Sequence, residues 1–216
     1  MLTQSQSRAR RFRVGVFFLS LLAVAGPCAA PLWADEGLSP EEKAAGFKPL
    51  FNGKDFTGWR FSGGKEGATA APNWKVKDGM IYLTGGGQPH LATDREYADF
   101  ELRLQWRALR DPYNSGLYVR SGRNVGANQI NLAKGGEGGF IGGKVNGAKT
   151  VPELQKPAKE WNEWRVLVRG DKVTLWCNGK KAWEATGLRP AKGYIGLQAE
   201  GAPIEFRNLR LREIKD

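Results

Sequence analysis

From residue 80 onward the chain alternates apolar and polar side chains in short runs separated by turn chemistry. Met80-Ile81-Tyr82-Leu83 follows Asp78-Gly79, FELRLQW (100–106) lies between Asp99 and Asp111-Pro112, and GLYVR (116–120) lies between Asn114-Ser115 and Ser121-Gly122. A period of two over four to eight residues predicts strands with one face in the core. In WRVLVRGDKVTLWCNGKKAWEA (164–185) the dipeptides Gly170-Asp171 and Asn178-Gly179 predict two tight turns and three consecutive antiparallel strands. YIGLQAE (194–200) and IEFRNLRLREI (204–214) close the pattern. In the last run the apolar phase passes from Ile204 and Phe206 to Leu209 and Leu211, a slip of one position that predicts a bulge at Arg207-Asn208. One helical start stands out: Ser39 as cap, Pro40 at the first helical position, and Glu41 and Glu42 at the positive end of the dipole. With no amphipathic helices between the strands, the prediction is a single all-β domain of two antiparallel sheets, a sandwich or jelly roll.

The N-terminus changes the picture of where the protein works. Arg8, Arg10, Arg11 and Arg13 precede an apolar run from Val14 to about Ala25, the pattern of a secretory signal peptide. The run is too short for a membrane span, which needs roughly 20 residues. Small residues follow up to Ala34, so the expected division is a signal peptide over 1–34, a leader with a short helix over 35–46, and the sandwich over 47–216, secreted or periplasmic. Pro27 before Cys28 argues against lipidation, and Arg13 argues against the twin-arginine route. Removing the four leader arginines lowers the formal charge from +11 to about +7. The remaining Lys and Arg residues are scattered over strands and turns, which reads as solvated faces; no nucleic-acid partner and no membrane span are expected. Only Cys177 remains in the mature chain, alternating with Val173 and Leu175 as a buried small hydrophobe.

Most familiar chemistries lack their residues. The glycines of NQINLAKGGEGGFIGGK (128–144) open no helix, so neither a P-loop nor a dinucleotide fingerprint is present. One histidine and one mature cysteine do not make a zinc site, and no HExxH occurs. No cofactor is expected, and a calcium ion held by Asp side chains and loop carbonyls is compatible with the sequence without being demanded by it. There is no GxSxG, and the nearest carboxylate pair on one strand face, Asp99 and Glu101, continues into Arg103 and Gln105 instead of a glycosidase dyad. His90, in GGGQPHLATD, reads either as an exposed loop histidine or as an acid/base or substrate contact.

Six segments in order, FKPLFNGKDFTGW (47–59), WKVKDGMIYL, YADFELRLQWR, NSGLYVR, KEWNEWRVLVRGDKVTLWCNG and GYIGLQAEGAPIEFRNLRLREI, resemble the 3-keto-disaccharide hydrolase domain family over nearly all of 47–214. The resemblance implies a concanavalin-like jelly-roll β-sandwich with a groove on its concave sheet, and carbohydrate chemistry at 3-keto glycosides. A C3 carbonyl acidifies the C2 hydrogen, so such a site needs one base, an oxyanion stabiliser and a proton donor. No nicotinamide motif is expected, because oxidation to the keto sugar is another enzyme's task. The chain departs from the family pattern after NSG-x-x-x-R. Many members carry a strand resembling Y-E-x-Q-x-x-D, and here the stretch is 126–132, in which Gln129 matches and the two acids do not.

Alternation and resemblance together place Arg103, Gln105, Tyr118, Arg120, Gln129, Asn131 and Gln198 on the groove face, with Arg120 as the oxyanion or hydroxyl contact. The base comes from Glu101, Glu137, Glu200 or His90. Asn114-Ser115-Gly116 reads as substrate contact or strand-entry turn, and Trp59, Trp74, Trp161 and Trp164 as sugar-stacking or packing residues. Two functions remain open: an enzyme that cleaves 3-keto glycosides, and a non-catalytic glycan-binding module on the same sandwich.

Overall fold

The computed structural model describes Met1, residues 38–63 and residues 71–215. The signal-peptide reading with its cleavage at Ala34 lies outside the described residues. The chain order is α1 (Pro40–Ala44), β1 (Lys48–Pro49), β2 (Trp59–Ser62), β3 (Trp74–Lys77), β4 (Met80–Leu83), β5 (His90–Thr93), β6 (Phe100–Ala108), β7 (Gly116–Ser121), β8 (Gln129–Asn131), β9 (Phe140–Ile141), a single 3-10 turn (Pro152–Leu154), β10 (Asn162–Arg169), β11 (Lys172–Cys177), β12 (Lys180–Ala185), β13 (Tyr194–Leu197) and β14 (Ile204–Glu213).

Two antiparallel sheets result. One has eight strands in the order β12-β11-β10-β6-β14-β4-β3, with β1 added to β14, and the other has six in the order β2-β5-β13-β7-β8-β9. Period-two alternation sends Leu102, Leu104 and Trp106 of β6, Trp164 and Val166 of β10, and Phe206 and Leu211 of β14 inward. They meet Leu91, Leu117, Val119, Ile130 and Leu197 from the other sheet in one continuous core. The local predictions hold where side-chain chemistry dictates backbone. Asp78-Gly79 and Asn178-Gly179 both turn with positive φ at both residues, the geometry that matches strand twist. The ladder between β14 and β6 shifts register between Arg207 and Arg210, with Asn208 at φ 51°. Cys177 is buried in the core, and burial pushes its thiol up to about 11, so it is packing and not a nucleophile.

The outer face of the eight-stranded sheet is an ionic lattice. Glu101, 0% exposed, accepts from Arg165 Nε at 2.7 Å, Arg103 Nε at 3.0 Å and Arg212 Nη2 at 2.8 Å. Glu42, locked in a capping box with Ser39, accepts from Arg103 Nη1 at 2.9 Å and Arg210 Nε at 2.6 Å. The leader helix is thereby fastened to the sheet. Burial pushes the Glu101 carboxyl up, but the hydrogen bonds from Arg103, Arg165 and Arg212 outweigh it, and the pKa lies below the ordinary 4.5. Glu42 is likewise lowered: burial raises it, and Arg210, Ser39 and Arg103 more than compensate. A folded-state pKa below the unfolded one means that the unfolded chain binds protons first. This stabilisation is therefore complete above about pH 4.5 and is lost as the pH falls through the lower folded values. Thermal melts are expected to show Tm falling steeply below pH 4.5, with a shallower slope in Glu101→Gln; a Tm constant from pH 5 to 3 would contradict the lattice.

Candidate functional site

Strand pairing defines a transverse row on the six-stranded sheet. Arg60 of β2 faces Ala92 of β5, Ala92 faces Gly196 of β13, Gly196 faces Tyr118 of β7, Tyr118 faces Gln129 of β8, and Gln129 faces Ile141 of β9. Paired residues share a face. Because Leu117, Ile130 and Leu197 point into the core, this row points outward. A second row beside it contains Ser62 paired with His90, and Gly116 paired with Asn131; Gln198 enters the same row through its N–H bond to the Gly116 carbonyl at 2.8 Å.

The two rows bring most of the expected groove residues together. The His90 and Tyr118 rings lie 5.6 Å apart. Gln129 Nε2 donates to Gln198 Oε1 at 2.8 Å and to the Ser115 carbonyl at 3.3 Å. Among the described residues this leaves Gln129 Oε1 and Gln198 Nε2 for a ligand. Gly116 makes the arrangement possible, since a Cβ there would come within 2.0 Å of Gln129 Nε2.

His90 is a strand residue 7% exposed, not a loop residue. Its Nδ1 accepts the Ala199 N–H at 3.1 Å, and burial lowers its pKa below the usual 6.5. The ring is therefore neutral at physiological pH, with its proton on Nε2. That tautomer makes His90 a hydrogen-bond donor toward the face, not a base. Burial pushes the Tyr118 hydroxyl up to about 12, with the Glu200 charge adding to the shift, so it too keeps its proton. Glu200 is exposed at the end of the same segment. The turn that carries it is braced from behind, because a Cβ on Gly201 would meet the Asn114 backbone N at 2.8 Å and a Cβ on Gly85 would meet the Gly201 carbonyl at 2.6 Å.

Asn114-Ser115-Gly116 is therefore a scaffold: Asn114 backs the Glu200 turn, Ser115 Oγ donates to the Gln198 carbonyl at 2.7 Å, and Gly116 seats Gln129. Asn131 lies on the expected face, yet its Nδ2 donates to the Gly136 carbonyl at 3.1 Å and so ties down the glycine-rich loop.

Five expected members do not join this face. Arg103 and Gln105 sit on β6, in the other sheet, where Arg103 binds Glu101 and Glu42, and Gln105 Oε1 accepts from Arg207 and Asn208. Glu101 is buried under its arginines on that same opposite face. Glu137 is 2% exposed, accepts the Tyr113 hydroxyl, and leaves Oε2 buried without a partner among the described residues. The loop folds its one acid inward, against Tyr113, instead of presenting it to a ligand.

Arg120 departs most. A bulge on β7, visible as the register shift opposite Tyr194 and Gly196, puts Arg120 at φ 45° and turns its side chain off the strand's alternation. The guanidinium, 1% exposed, donates from Nε to the Ala98 carbonyl at 2.7 Å and from Nη1 to the Gly170 carbonyl at 2.6 Å, and pairs through Nη2 with Asp99. It clamps the two sheets together at one end. Trp59, Trp74 and Trp164 are core residues, whereas Trp161 lies on the eight-stranded sheet's outer face against Arg107 and Arg207.

One wall of the site is formed by residues with little signal at short range in the sequence. Ser62 Oγ donates to the Arg123 carbonyl at 3.0 Å and accepts the Val125 N–H at 3.2 Å, drawing residues 123–125 over Ala92 and Tyr118. The alternation of Trp59 and Phe61 with Arg60 and Ser62 was the available signal; nothing in the sequence marks Val125. Among the described residues no three His, Cys, Asp or Glu side chains converge on a metal position. No helix of the described residues is long and apolar enough to cross a membrane.

A two-sheet antiparallel sandwich of this topology is a concanavalin-like jelly roll, and it gathers a histidine, a tyrosine, two glutamines and a glutamate on one outer face. The chain belongs to the 3-keto-alpha-glucoside-1,2-lyase-like domain family, whose model matches residues 46–212. It is 24% identical to a 3-keto-disaccharide hydrolase of Bacteroides thetaiotaomicron, with 78% of this chain and 79% of the relative aligned. In structure it is similar to a proposed glycosyl hydrolase of Parabacteroides distasonis (TM-score 0.64, 24% identity, 82% of this chain and 98% of the other). It is also similar to the β-glucanase of Bacillus licheniformis (TM-score 0.55, 14% identity, 78% of this chain and 97% of the other), a likeness of fold.

Proposed function

We propose that this protein is an exported carbohydrate-active hydrolase that cleaves 3-keto glycosides, with Glu200 removing the C2 proton. Family membership and the curated relative support the substrate class, and the arginine-led apolar leader supports export. The mechanism rests on one observation: the Ala199 N–H fixes His90 Nδ1 as an acceptor, in the same segment that carries Gln198 and Glu200.

Three of the four base candidates are engaged elsewhere: Glu101 under three arginines, Glu137 with Tyr113, and His90 as a neutral donor. Glu200 takes the proton from C2, and the electron pair moves into the C3 carbonyl, forming an enolate oxygen. His90 Nε2–H and the Tyr118 hydroxyl are the donors for that oxygen. Collapse of the enolate expels the C1 substituent, which takes the proton held by Glu200 and leaves as an alcohol; water then adds its oxygen at C1 and gives its proton to C2. Gln129 and Gln198 orient the ring through its hydroxyls. No redox cofactor is needed, because the carbonyl arrives with the substrate.

The test is turnover of a 3-keto disaccharide in D2O by the purified chain. Free sugar should appear, and the keto-sugar product should carry one deuterium at C2 beyond a control without enzyme. Release without deuterium would refute proton abstraction, and saturable binding with no release over hours would refute the enzyme.

A further inference from the structure

The outer face of the eight-stranded sheet carries, among others, six neighbouring arginines: 103, 107, 165, 207, 210 and 212. Five of them contact carboxylates: Arg103, Arg165 and Arg212 on Glu101, Arg210 on Glu42, and Arg107 on Glu205 at 2.5 Å. Arg207 is the exception among the described residues. Its Nε donates to Gln105 Oε1 at 2.8 Å and its guanidinium carbon lies 3.9 Å from the centre of the Trp161 ring, with no carboxylate in ion-pair range. Arg107 lies 4.6 Å from the same ring. Burial lowers the Arg207 pKa and the Arg107 charge adds to that shift, while the Glu205 charge opposes it.

Arg207 opens on a recess of about 210 Å³ lined also by Asp78, Met80, Arg107, Trp161 and Asn208. Asp78 belongs to the β3–β4 turn, held at φ 51°, and makes no ion pair among the described residues. The bulge at Asn208 aims Arg207 and Asn208 at the recess, while Gln105 Oε1 anchors both side chains, its bond from Asn208 Nδ2 measuring 3.0 Å. An acceptor and a set of donors thus line one cavity without satisfying each other. Glu205 neutralises Arg107, and Asp78 carries one negative charge against the one positive charge of Arg207, so the lining has no net charge and favours a neutral ligand over an anion.

We infer that this recess is a second carbohydrate-contacting site, separate from the His90 face, that takes one neutral sugar ring. A hydroxyl accepts from the free Arg207 N–H groups and its neighbour donates to Asp78, while the C–H groups of the ring rest on Met80 and the edge of Trp161, whose ring is stacked with Arg207. The site lies on the other sheet and holds glycan whether or not the proposed reaction takes place.

The measurement is a heteronuclear NMR titration of the full chain, following the Trp161 indole and the His90 imidazole, with the methyl α-glycosides of glucose, galactose and mannose. Inorganic sulfate is titrated in parallel. At least one glycoside should shift the Trp161 indole saturably, and Asp78→Asn and Arg207→Gln should each weaken that binding about tenfold, as for loss of one charge-assisted hydrogen bond. Asn tolerates positive φ, so Asp78→Asn keeps the turn. A Trp161 signal unmoved by all three glycosides, a shift with sulfate alone, or unchanged binding in both variants would each overturn the inference. Failure at Trp161 leaves the D2O result at the His90 face untouched, so the two readings fail separately.

Discussion

Glu200→Gln is expected to lower kcat on a 3-keto disaccharide by about 10²–10⁴-fold, the range for loss of a positioned general base, while leaving Tm unchanged. The two halves of that expectation have different origins. Glu200 is exposed and makes no ion pair among the described residues, so exchanging its carboxylate for an amide removes no folding contact. The amide keeps the size and most of the hydrogen-bonding reach of the side chain but does not take a proton from carbon. KM should change little, because the ring is oriented by Gln129 and Gln198, which the substitution does not touch. Deuterium incorporation at C2 should fall together with sugar release. A variant that retains wild-type kcat would remove Glu200 from the mechanism, and with the other three candidates engaged elsewhere it would remove the proton-abstraction scheme as well.

What was legible in the sequence divides by range. The β4 boundaries, the turns at 78–79 and 178–179 and the bulge at 207–208 follow from residues within a few positions of one another, and the structure has them where expected. The site needed one further fact, which sheet each strand joins. Alternation told correctly that Arg103 and Gln105 share one face of β6 and that Tyr118 lies on one face of β7. But β6 pairs with β10 and β14, whereas β7 pairs with β13 and β8. Neighbouring strands in sequence therefore present their polar rows on opposite sides of the molecule. His90 was ambiguous for a different reason: all four residues of β5 are buried, so no polar alternation marks it as a strand. Glu137 looked like an exposed loop acid because nothing local announces that Tyr113, 24 positions away, will draw it inward.

Arg120→Leu tests the other place where alternation misled, and it should separate stability from chemistry. The guanidinium is enclosed, with acceptors from Ala98, Asp99 and Gly170, and so ties β7 to the ends of β6 and β10. Removing one member of a buried ion pair costs about 3–5 kcal/mol, because the partner is left without its counter-charge. In a domain of this size 1 kcal/mol corresponds to about 2–4 °C, so Tm should fall by roughly 6–20 °C. A residue that contacted substrate would behave in the opposite way, with turnover lost and Tm preserved. Assayed at a temperature where the variant is still folded, Arg120→Leu should keep kcat within a few-fold of wild type, since no atom of its side chain reaches the His90 face. A preserved Tm with abolished turnover would restore Arg120 to the site and displace His90 as the principal donor. A lowered Tm with turnover intact would assign Arg120 to joining the two sheets, the β7 bulge having diverted it from the ligand face.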